Sequence, residues 1–462
     1  MLRRVDAPAP FSHPLAYVRR SRGWTHQALV EVLARRVGMS ANRQKAWRWE
    51  HRGVVPDEET QRALAEELGV PLDRLRSDPW PGWLPAGDSA GLDEEWTAAG
   101  CLRALELTTA DALADHRGFP VLPAGAAAAM AGRLPPPSPG GGSGPGGAAE
   151  HGSAGPGTAG DAADGFAGDL VRSLEQRLPL LRRLDDELGG GGVRAPADAE
   201  LRTVTALLRQ GRHGGGHTRR LLSVAAELGR IAGWAGVDAG YHAAAQRYFT
   251  VGLRAAHAAG DRLAAANLLK CMTLQLAECG RPDEALALAG TARRCAAGGP
   301  GRVRAMLAVR HARAHALSGD RAACEKLLAE ADGLMERAAS EPCPGWAAYF
   351  DSAEYSAQVA FCHLLTGRHR LCDRRLTEAL ALQPPSRPRD GTTYRMWRAE
   401  AAVRLGEVDR ACAELAEALP LVAGCSSARN RARLDSVRRL LRPYRTTRSV
   451  RALDERLRAL SG

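Results

Sequence analysis

The sequence predicts an all-α chain in two helical parts, a small one near the N-terminus and a longer stacked one in the C-terminal half. Three observations carry this. Alanine and leucine dominate the apolar residues, a balance that favours helices over sheets. Apolar positions recur at helical spacing through most of the chain. A glycine and the residues around it recur in the C-terminal half, as in units that bury their faces on one another.

The first part spans residues 12–78. Leu15–Arg22 reads as its first helix. Thr25 is a suitable N-cap for a second, which carries Leu29, Val32 and Leu33 on one face. Ser40 can begin a turn into a third helix, Ala41–His51. Val55-Pro56-Asp57 opens a fourth with Leu64 and Leu68 inward, and Leu72 and Leu75 close the set. Gly23, Gly38, Gly53 and Gly69 each follow a helical stretch, where a left-handed stop is wanted.

Residues 79–133 read as a connector with minor structure: an extended Pro79–Pro85, a helix near Leu102–Leu113 and a short strand near Gly118–Leu122. Residues 134–165 are Pro, Gly, Ala and Ser with almost no bulky apolar residue. They cannot bury enough surface to offset ordering entropy, so a disordered tether is expected. Leu170, Leu174, Leu178, Leu181 and Leu184 resume helical spacing, and the glycine run 189–192 should end that helix.

The repeat domain is placed at 166–462. Gly240, Gly280, Gly319, Gly367 and Gly406 recur at steps of 40, 39, 48 and 39 residues. Small residues follow each at the fifth position (Ala245, Ala285, Cys324, Cys372, Ala411) and again at the twelfth. Mostly bulky ones stand at the ninth (Phe249, Leu328, Leu376 and Leu415, with Ala289). Small residues let helices approach, bulky ones fill the gap, and glycine suits the turn between antiparallel helices. The pattern resembles the tetratricopeptide repeat, most closely at 280–285. That likeness implies an α-solenoid, with the basic helices at 427–460 as a cap.

The formal charge is +11, nearly all from arginine. Residues 1–76 carry a surplus of +5 and residues 429–458 a surplus of +8, and basic patches attract phosphate or acidic partners. Ten cysteines lie scattered without a C-x-x-C pair, which speaks against the common zinc signatures and for small apolar packing roles. No signal segment is visible at Met1–Pro10 and no run approaches a membrane span, so a cytoplasmic setting is expected and no membrane partner.

In the third helix Arg43, Lys45 and Arg48 can reach phosphate or guanine, and Asn42 or Gln44 can pair with adenine. Ala46 and Trp49 can face the core. The same spacing also suits a solvated helix in an ordinary bundle. The segments "LAYVRRSRGWTHQALVEVLARRVGMS" and "WRWEHRGVVPDEETQRALAEELGVPLDRL", with the repeats, resemble actinobacterial regulators of the Xre-type (lambda-repressor-like) helix-turn-helix class. "GWAGVDAGYHAAAQRYF" at 233–249 resembles their repeat region. The resemblance implies a DNA-binding transcriptional regulator reading double-stranded DNA through Ser40, Asn42, Arg43, Lys45 and Arg48. The stretches Thr25–Ser40 and Ser40–Trp49 are longer than in the simplest repressors, so the turn or second helix must be lengthened.

Carried onto the inner helices, the repeat register gathers Arg230, Trp234, Asn267, Lys270, Arg313, Glu354 and Phe361 into a groove for a peptide, protein or small-molecule signal. The repeat domain could equally mediate homodimerisation. His311 and His315 share a helix face but lack a third ligand at metal spacing, so they read as packing residues. No Walker loop, dinucleotide loop or H-E-x-x-H occurs. Neither an enzyme nor a cofactor or metal is expected. The alternative is a non-enzymatic interaction scaffold whose small domain no longer reads DNA.

Overall fold

The computed structural model describes residues 13–70, 72, 74–77, 79–81, 83–84, 94–110, 159–211, 214–338, 341–424 and 427–461. Among these residues every regular element is helical and no strand occurs. The expected strand at 118–122 and tether residues 134–158 lie outside the described residues.

The N-terminal body consists of α1 (Pro14–Ser21), α2 (His26–Val37), α3 (Arg43–His51), α4 (Glu58–Leu68) and the short α5 (Arg74–Ser77). Thr25 caps α2, its hydroxyl accepting from the Ala28 amide at 3.1 Å. α3 begins later than the sequence reading placed it. Asn42 is its cap, with Oδ1 taking the Gln44 amide at 2.9 Å and so satisfying one of the first-turn donors that no carbonyl can reach. Leu15, Val18, Leu29, Leu33, Ala46, Trp49 and Leu64 form one buried core. Leu72 does not close it, being exposed. Trp83 does: it is fully buried, and its indole N–H donates to Gln61 Oε1 at 2.9 Å. The core thus reaches into a segment that reads as connector, because a bulky indole with a polar handle packs wherever a partner lies within reach.

The second body begins at α6 (Ala98–Ala110), whose Cys101, Ala104 and Leu105 join its core. α7 (Ala159–Leu188) starts inside the stretch that reads as tether. Only Gly189 breaks it; Gly190, Gly191 and Gly192 belong to α8 (Gly190–Gln210). A Cβ on Gly190 would sit 2.3 Å from the Ala235 carbonyl oxygen, so the glycine allows α8 to meet the next helix closely.

Five antiparallel pairs follow: α9 (Gly215–Ala239) with α10 (His242–Ala259), α11 (Arg262–Glu278) with α12 (Pro282–Cys295), α13 (Gly301–Leu317) with α14 (Arg321–Arg337), α15 (Ser352–Leu365) with α16 (His369–Leu382), and α17 (Pro388–Arg404) with α18 (Val408–Gly424). Each periodic glycine occupies the turn within a pair, with φ between 73° and 86°. The small residues at the fifth and twelfth positions after it are buried, and so are the bulky ones at the ninth. The long step of 48 residues is absorbed between α14 and α15 by an irregular segment containing the 3₁₀ turn Gly345–Ala347.

The first helices of successive pairs, α9, α11, α13, α15 and α17, pack in sequence and form the inner layer of a solenoid-like array. α19 (Ala428–Leu441) touches both α9 and α17, the first and last of that layer, while α20 (Arg448–Ser461) packs on α18. α7 also touches α9 and α17. The two ends of the inner layer are therefore bridged twice, once from each side of the repeats in sequence. No helix among the described residues is long and apolar enough to cross a membrane.

Candidate functional site

Two arrangements could carry function. The first is the outer face of α3. Ala46 and Trp49 anchor the helix in the core, which leaves Arg43, Gln44, Trp47 and Arg48 exposed and Lys45 partly so. The side chains of Arg43 and Arg48 make no ion pair or hydrogen bond with any described residue. Arg52 leans on the Trp47 ring at 5.7 Å, and Trp47 stacks on His51 at 4.9 Å. Trp47 is 41% exposed. Ser40 and Asn42 stand exposed at the start of the helix, with the Asn42 oxygen engaged as cap and its amide NH₂ left to donate. The solvent face of α3 is thus cationic with one aromatic and no acid.

The one acid of α3, Glu50, is buried beneath. Arg19 donates to it twice, at 2.6 and 3.1 Å, and His26 Nε2 lies 2.9 Å away. Burial works against its charge, yet the Arg19 and His26 contacts win and hold the carboxyl below its ordinary range. These bonds tie α1 and the start of α2 to the back of α3. They also explain why His26, Glu50 and His51, the one group of three metal-capable side chains found among the described residues, reads as structural: the carboxylate is already committed to a guanidinium. His311 and His315 lie with ring centroids 4.8 Å apart, and among the described residues no third side chain joins them in a metal-capable group.

The second arrangement is a cavity on the inner layer enclosing about 120 Å³. Of the seven groove residues expected from the repeat register, Arg230, Trp234, Lys270, Arg313 and Glu354 line it. Asn267 and Phe361 do not. Asn267 is buried in α11, and Phe361 lies beneath the wall, with the guanidinium of Arg313 4.4 Å and that of Arg433 5.2 Å from its ring. The sequence reading missed the rest of the wall. α7 contributes Arg182, Asp185 and Asp186; α17 contributes Arg389, Asp390 and Tyr394; α19 contributes Arg429.

Most charges around the cavity are matched. Arg182 and Arg230 share Glu227, at 2.7 and 2.9 Å. Arg310 donates to Glu354 at 2.9 Å and also to Gln358. Arg389 binds Asp185 at 2.9 Å, and Arg429 reaches Asp238 at 3.4 Å while lying 4.7 Å from the Trp234 ring. Three are not matched in this way. Lys270, 4% exposed, donates to the Tyr349 hydroxyl at 3.0 Å and has no carboxylate partner. Arg313, 6% exposed, makes no hydrogen bond, its nearest acid being Glu278 at 3.9 Å. Burial, only partly offset by Glu278 and reinforced by Arg310, Arg433 and Arg429, lowers its pKa to about 9. Asp390 makes no ion pair with a described residue. Burial and the nearby Glu354 and Asp186 push it up to about 7, against the pull of Arg389 and Arg387.

No family model matches this sequence, and no curated protein or solved structure is similar to it.

Proposed function

We propose that this chain is a sequence-specific DNA-binding regulator, in which the N-terminal body docks α3 into the major groove and the helical array holds a signal. One observation carries the reading: Arg43 and Arg48 point to solvent from a nine-residue helix without a single acidic partner. Some neighbouring helices pair their exposed arginines, although Arg35 of α2 is exposed and unpaired among the described residues too. On α4, Arg62 pairs with Glu58 at 2.9 Å, and Arg36 of α2 pairs with Glu67. The buried Arg19–Glu50 link holds α3 at its back and removes its only acid from the outer face, as a helix presented to phosphate requires.

The test is binding of the whole chain to duplex DNA selected from genomic fragments, followed by fluorescence anisotropy across a salt series. Arg43→Ala with Arg48→Ala is expected to weaken binding by about tenfold or more and to flatten the salt slope by about 0.9 per lost phosphate contact. Selective binding with an unchanged slope in the double variant would move the interface off α3. Stable protein complexes without selective DNA binding would favour the scaffold instead.

A further inference from the structure

The cavity sets narrow terms on what the array holds. It has a volume of about 120 Å³ and opens to solvent, so the chemistry of its wall rather than its size selects the occupant. Its walls differ in sign. Lys270 on α11 is a buried cation without an acid partner among the described residues, and Arg313 on α13 is a buried cation whose one acid, Glu278, stands 3.9 Å away. Asp390 on α17 is an acid without an ion pair among the described residues; Asp186 of α7, which adds to the negative charge there, lies 3.4 Å from Arg389. Buried charges normally pair, because desolvation is costly. These groups face one cavity and do not pair with each other. A plain anion would satisfy the cations and leave Asp390 alone; a plain cation would do the reverse. Trp234, Trp346, Tyr349, Tyr394 and Trp397 supply apolar wall between them, and the Trp397 indole N–H is buried with no acceptor.

We infer that the cavity is a receptor site for a small zwitterion of amino-acid type, its carboxylate against Lys270 and Arg313, its ammonium against Asp390 and Asp186, and its apolar body among the aromatic side chains. This deepens the reading of the array as the sensing half and rests on it. Both polar contacts are charge-assisted, which makes them stronger than neutral hydrogen bonds. Ammonium binding favours ionised Asp390, so binding near neutral pH releases a proton. The groups that tune this step are Glu354 on α15, Asp186 on α7, and Arg387 and Arg389 beside Asp390 itself.

The experiment is calorimetric titration of the full chain with L-phenylalanine and L-leucine, against 3-phenylpropanoate and phenethylamine, which each keep the ring and one charge. At least one amino acid is expected to bind, with both single-charge probes weaker by about tenfold or more. Asp390→Asn, which keeps the side-chain shape, should weaken the amino acid by a similar factor and leave 3-phenylpropanoate unchanged. Lys270→Met is the second variant and should spare phenethylamine instead; circular dichroism checks that both fold. No saturable heat from either amino acid up to about 10 mM overturns the inference. So does equal binding of 3-phenylpropanoate, or tighter binding of a pentapeptide. Arg43→Ala with Arg48→Ala should not alter the titration, so loss of ligand binding with DNA binding intact sinks this inference alone, and the converse sinks only the DNA-reading proposal.

Discussion

At the scale of single residues, the chain places its acids by what they neutralise. Glu50 is 4% exposed and accepts from Arg19 and His26, so its ionised form is favoured despite burial. A carboxyl whose pKa is depressed by folding adds stability that is fully present above its unfolded value and lost as pH falls through its folded one. The N-terminal body should therefore weaken on acidification through and below the ordinary glutamate range, as Glu50 takes up a proton. Glu50→Gln keeps the shape and strands the Arg19 guanidinium. It is expected to cost about 3 kcal/mol at pH 7, with the gap from the native chain narrowing as the pH falls below the ordinary glutamate range. Denaturant unfolding followed by tryptophan fluorescence across that range checks both points, and a pH-independent gap would show that charge is not what Glu50 contributes. Sequence reading named Trp49 and Ala46 as inward but gave no role to Glu50. A lone acid in a basic helix carries no sign of whether it faces a partner 31 residues away.

At the scale of helices and their pairs, the periodic glycines made the array legible, because a left-handed turn followed by small, bulky and small positions is a local requirement that leaves a local trace. The same register found five cavity residues, since the inner face of each first helix repeats with it. What it missed comes from elements outside the register. Asp185 meets Arg389 across 204 positions, and no spacing rule spans such a separation. The glycine run 189–192 misled for a related reason. Glycines suggest a break, whereas Gly190 sits within a helix because Ala235 approaches so closely. Gly229 shows the same device between α9 and α10. A Cβ there would lie 2.8 Å from the Tyr248 carbonyl oxygen and 3.0 Å from the Gly252 Cα. Both obstacles are backbone, so the helices must part. Gly229→Ala is expected to destabilise the second body by about 1–3 kcal/mol despite the better helix propensity of alanine. Thermal unfolding checks this, and a stabilised variant would mean that the pair tolerates wider spacing.

At the scale of the molecule, one buried acid ties the two ends of the array together, beside the bridge that α7 makes. Asp238, fully buried at the end of α9, accepts from Ser427 Oγ at 2.8 Å and the Gly190 amide at 3.0 Å, with Arg429 at 3.4 Å and Arg389 at 3.8 Å. Those partners lead into α19, α8 and α17, so the side chain joins the first repeat to the last and to the helix that caps them. Burial opposes its charge, but Arg389, Arg429 and the hydrogen bonds keep its pKa low. The residues that make this seam, Arg389 and Arg429, also line the cavity, so a ligand bound there is expected to stabilise the seam. Asp238→Asn removes one counter-charge from Arg389 and Arg429, leaving them Asp185 and Glu278, while preserving shape. Hydrogen–deuterium exchange should then rise at the end of α7 and in α17 and α19, while α12 and α14, which touch neither bridge, keep their protection. A ligand bound in the cavity should restore that protection in proportion to RT ln(1 + [L]/Kd), because it stabilises the seam. Uniform acceleration across the array would mean that Asp238 supports global stability, and no change would mean that the seam stands without it. A change confined to the seam would make the bridge the element through which occupancy of the cavity alters the surface of the array.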